Sequence, residues 1–149
     1  MAISPQSVDR VAKCHTRRPA LLDNEHATVW FYPEDKIVHH QFHKFIYGEK
    51  FREVLTRGAE IVEERGVTKW LSDDRLNSAV PKEDSAWALN NWNQRMRAAG
   101  WKYWAVLYPD KKIGQINLGF FIRELSLVGI TAEVFDDVDE ALNWLRSVN

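Results

Sequence analysis

Three times along this 149-residue chain, a stretch of helical period runs into a glycine and then directly into a short β-rich run. The first covers 48–65, then Gly66, then 67–72. The second covers about 84–99, then Gly100, then 101–108. The third covers 113–128, then Gly129, then 130–135. Glycine just past a helix supplies the left-handed residue that ends it. Helix and strand in strict alternation demand crossover connections, and crossovers demand a largely parallel sheet with helices laid on it.

The flanking segments complete the pattern. Residues 27–32 (ATVWFY) and 37–45 are rich in β-branched and aromatic residues, and the turn residues 33–36 separate them, so they read as a hairpin. Residues 137–148 carry Val138, Ala141, Leu142, Leu145 and Val148 on one helical face, with Asp136 or Asp137 placed to cap that helix. Residues 1–23 show no sustained period and read as an arm before a single domain over 24–149. The predicted order is β-β-α-β-α-β-α-β-α, an α/β fold with a mixed, largely parallel sheet.

Composition narrows the function classes. Net charge is −1, so no global field draws the chain to nucleic acid or to an anionic membrane. No apolar run approaches the ~20 residues of a membrane span. Cys14 is the only cysteine, which excludes an intrachain disulfide and a cysteine-based metal site, and fits the reducing cytoplasm. No glycine-rich phosphate loop is present. No cofactor is expected.

The run Ala132-Glu133-Val134-Phe135-Asp136-Asp137-Val138-Asp139-Glu140-Ala141-Leu142-Asn143-Trp144-Leu145 resembles the closing signature of SpoIIAA-like proteins, bacterial members of the STAS family. These end in a strand reaching Phe, an acidic turn, then Glu-Ala and Trp-Leu on the last helix. The resemblance implies the STAS fold of anti-sigma factor antagonists. It also implies a role in binding a partner or a small hydrophobic ligand, without chemistry. Asp84-Ser85 stands where that family carries a phosphorylatable serine after Asp, so the resemblance implies Ser85 as a phosphosite. The same two residues also read as a helix cap.

Candidate sites follow from the residues. HHQFH, with His39, His40 and His43, invites a metal reading. On a strand, His39 and His43 share a face but stand about 13 Å apart at ~3.3 Å per residue, too far for one ion with bonds of ~2 Å. Asp73 and Asp74 close a strand, where α/β sites gather, but nothing in the spacing brings a histidine to them. On the helix over 84–99, Ala88, Leu89, Trp92, Met96 and Ala99 form the inward stripe. Trp87 falls on another side with Asn91 and Gln94, either lining a ligand site or packing under the loop before it.

The helix over 113–128 is apolar on several sides. Ile113, Ile116, Phe120 and Leu127 form one; Leu118, Phe121 and Leu125 form another. In so small a domain one side is left for a homodimer or protein partner, or for the arm; Phe121 and Leu125 are assigned to that surface. The leading expectation is a non-catalytic binding module acting through a protein partner or self-association. The alternative is a carrier or sensor of a small apolar ligand, supported by the aromatic load of Trp30, Trp70, Trp87, Trp92, Trp101 and Trp104. An enzyme ranks last.

Overall fold

A computed structural model describes residues 19–149. The expected arm over 1–18, Cys14 included, lies outside the described residues. Six strands form one sheet in chain order: β1 Leu22–Asp23, β2 Ala27–Tyr32, β3 Ile37–Phe42, β4 Lys69–Asp73, β5 Tyr103–Leu107 and β6 Thr131–Phe135. β1, β2 and β3 are antiparallel; β3 to β6 are parallel. Residues 22–23, read as arm, are therefore an edge strand, because their backbone completes the ladder of β2.

The helices are α1 Gly48–Arg65, α2 over 82–98, α3 Lys112–Ser126 and α4 Val138–Ser147. Crossovers of one hand that step one strand at a time in one direction put their helices on one face. Accordingly α1, α2 and α3 share a core with Val29, Val38, Phe42, Trp70, Trp104 and Val106. Among the described residues α4 alone covers the other face, packing Val138, Ala141, Leu142 and Leu145 on Tyr32, Ile37, Leu71, Ala105 and Leu107.

Local chemistry explains the ends. Gly66 ends α1 at φ 63°, its N–H donating to the Val62 carbonyl. Asp137 caps α4, accepting the Glu140 N–H at 3.1 Å. Phe135 and Trp144, both in the closing run, pack at a tilt of 45° with ring centroids 5.7 Å apart and clip β6 to α4. α2 contains a π-helical turn at Ala88–Trp92. Strict four-residue spacing drifts by about 40° per step on an α-helix. The wider turn offsets that drift, so Ala88, Trp92 and Met96 all point inward.

Candidate interaction surface and the buried polar network

The tryptophans bear directly on the expected ligand pocket. Trp70, Trp92, Trp101 and Trp104 form a chain of rings with successive centroids at 5.3, 5.3 and 5.8 Å. Each indole N–H is satisfied within the fold: Trp70 by His40, Trp92 by the Leu55 carbonyl, Trp101 by the Tyr103 carbonyl and Trp104 by Ser72. These rings are core. A buried indole with a partner for its N–H is what a dense interior requires.

At the carboxyl ends of the parallel strands lies a polar network that spacing did not reveal. His40 is buried on β3, and its Nε2 is 2.8 Å from Asp74 Oδ1. Its Nδ1 is 3.0 Å from Trp70 Nε1. An indole N–H only donates, so Nδ1 must accept. The remaining proton of the neutral ring is on Nε2 and points to Asp74. His40 pairs across the sheet with Ser72, whose hydroxyl accepts from Trp104.

Ser72, His40 and Asp74 thus meet in space, like the members of a hydrolytic triad, but the wiring differs. In a triad, the histidine lone pair faces the serine and takes its proton. Here that lone pair is held by Trp70. The arrangement fixes β3 to β4 and does not leave a base available. His39 and His43 stand apart, as strand spacing predicts. His39 bonds Tyr32 on the α4 face, while His43 lies beyond the strand and donates to Thr28, which itself donates to Asp23.

Asp73 and Asp84 have structural partners as well. Asp73 holds Arg75 through both oxygens at 2.9 and 2.7 Å, and this hydrogen bonding raises the Arg75 pKa above its ordinary value. Asp84 caps a neighbouring helix rather than its own. It accepts the Gly48 N–H at the start of α1 and pairs with Arg52. The N-cap of α2 is Pro81, which puts Ser85 inside the first turn, its amide bonded to the Pro81 carbonyl. The cap reading of Asp84-Ser85 is corrected accordingly: helix α2 begins two residues earlier than expected. The Ser85 hydroxyl points to the Val80 carbonyl at 3.4 Å.

Trp87 is half-buried against the main core, with the Arg52 guanidinium 5.3 Å from its ring. Asn91 and Gln94 are exposed on the outer side of α2. The three do not converge on a cleft, since Trp87 turns inward and the two amides turn outward.

α3 settles the question of its two apolar sides. Its first turn is tied to the loop over 74–81: Asn117 Oδ1 accepts the Val80 N–H at 3.0 Å, and a Cβ on Gly114 would collide with the Ser78 carbonyl oxygen. Only glycine permits that approach. Leu118, Phe121 and Leu125 then face the sheet at 8% exposure or less. Phe121 and Leu125 are thus core residues, a correction to their assignment as surface. The surface is the opposite side. Ile113, Ile116, Phe120 and Leu127 are 61, 63, 53 and 74% exposed. They span about 21 Å at 1.5 Å per residue. Val134, on the sheet face that α3 covers, adds to them at 39% exposure on the edge strand β6. Fully burying one such side chain is worth ~1.5–3 kcal/mol, and α3 leaves four of them mostly in water.

No family model matches the chain, and no curated protein matches it. Among solved structures, a Thermotoga maritima protein designated a "putative anti-sigma factor antagonist" superposes with a TM-score of 0.53 at 12% identity. The match covers 87% of this chain and 95% of that one. The two chains share the STAS fold that the closing run had suggested.

Proposed function

We propose that this chain is a non-catalytic binding module of the STAS type that acts in the cytoplasm through a protein partner docked on the outer face of α3. The observation that carries this reading is the exposed stripe Ile113, Ile116, Phe120 and Leu127 on a helix whose other face already completes the core. Contiguous exposed apolar side chains on a folded domain mark interaction sites. The designation of the structural neighbour, an antagonist of an anti-sigma factor, describes a protein that works on another protein. The closed wiring of His40 supports a binding role over a catalytic one. Among the described residues no helix is long and apolar enough to cross a membrane.

The test is a photo-reactive phenylalanine analogue placed at Phe120 and illuminated in the native cell. The expected result is an adduct of one discrete added mass, containing a second protein, and lost when Ile116 and Leu127 are made polar. An adduct confined to residues 1–18 of the same chain would show that the arm covers this face and would contradict the proposal. So would the absence of any adduct.

A further inference from the structure

The α3 face has a charge pattern as well as an apolar stripe. At 100° per residue, Ile113, Ile116, Phe120 and Leu127 fall within about 40° of the Phe120 direction. Lys112 and Arg123, both exposed, border the stripe on the Ile116 side, and exposed Lys111 precedes the helix. No ion pair among the described residues engages Lys112 or Arg123. Glu124, half-buried, stands on the opposite border.

A second copy fits this pattern poorly. In a two-fold antiparallel pairing of α3 with itself, each border meets its own kind, so Lys112 and Arg123 face the same two cations. In a two-fold parallel pairing, the cationic border meets the Glu124 border of the second copy, but the two Lys111-Lys112 ends lie side by side, together with two positive helix N-termini. Either symmetric arrangement sets like charges together. The open edge of β6 offers no easier route, because exposed Glu133 at the centre of that strand would oppose its own copy. An anionic lipid surface is disfavoured by Asp110 and Glu124 around the same face.

Resting on the binding-module reading, we infer that the α3 face receives an amphipathic helix of a different protein, with an apolar stripe bordered by carboxylates. The stripe supplies the contact area. The Lys112–Arg123 border supplies orientation and faster encounter, as complementary rim charges do.

Two fluorescent helical peptides of about 16 residues test this, long enough to span the stripe at 1.5 Å per residue. Both carry one leucine stripe; one is bordered by glutamates, the other by lysines. Each is titrated against the full chain. The expected result is about tenfold tighter binding of the glutamate peptide, the combined effect of a few rim charge pairs. That preference should fade toward about 1 M salt and reverse in a K112E/R123E variant whose melting temperature is unchanged. Equal binding of both peptides would overturn the charge assignment while leaving the partner face intact. Binding of neither would overturn both. A dimer of the full chain by light scattering, dispersed by Phe120→Glu, would replace the proposed occupant with a second copy. Binding to phosphatidylserine vesicles but to neither peptide would replace it with a membrane.

Discussion

α1 and α3 lie on the same face of the same sheet, yet they treat their outer sides in opposite ways. α1 buries Phe51, Val54, Leu55, Ile61 and Val62 and turns Glu53, Arg57, Glu60 and Glu64 outward. α3 buries Leu118, Phe121 and Leu125 and turns Ile113, Ile116 and Phe120 outward. Both complete their part of the core on that face. The outward apolar residues of α3 are not needed to complete the core, and the proposed binding face rests on that surplus.

The sharpest way to break this comparison is to exchange adjacent phenylalanines. Phe121→Ala should cost about 3–5 kcal/mol, as expected for a buried aromatic truncated in a packed core, and should lower the urea midpoint accordingly. Phe120→Ala, one residue away, should move it by no more than ~0.5 kcal/mol. On the α1 side, Gly58→Ala should cost about 1–3 kcal/mol by overpacking, because the new methyl would collide with the buried Trp70 ring. A normal midpoint for that variant would show that the sheet face under α1 is looser than described.

His40→Leu should cost ~1–3 kcal/mol, since it strands the Asp74 carboxylate and the Trp70 N–H. It should leave binding to the α3 face unchanged. A smaller effect than that of His40→Leu belongs to the decorated side of α1. Glu63 forks onto Arg95 at 2.7 and 2.8 Å, which holds its carboxyl below the usual range. A depressed carboxylate contributes stability above its unfolded pKa and loses it as pH falls through the folded value. Because both partners are well exposed, Glu63→Gln should cost under ~1 kcal/mol at neutral pH and nothing in strong acid.

Much of this fold was legible because its signals are local. The helical period, the stop at Gly66, the cap at Asp137 and the strand compositions each act within a few residues. The closing run from Val134 to Leu145 is legible for the same reason, since Phe135 meets Trp144 across one short turn. The candidate site was legible only in part. Periodicity sorts α3 into two apolar sides but cannot say which one meets the sheet, so Phe121 and Leu125 were assigned outward when they belong inside. That choice is made by Gly114 and Asn117 against the loop over 74–81, a tertiary contact. The His40–Asp74 bond joins residues 34 apart, and the cap that Asp84 gives to Gly48 spans 36. No local pattern encodes either.

The outer face of α3 is proposed to serve binding while contributing little to folding. The most direct measurement takes one Ile116→Glu/Leu127→Glu variant carrying the photo-reactive analogue at position 120. Its urea midpoint and its yield of cross-linked partner are both compared with those of the same chain without the two glutamates. The expected result is an unchanged midpoint and a lost adduct. A midpoint that falls as far as that of Phe121→Ala, or an adduct that persists undiminished, would contradict it.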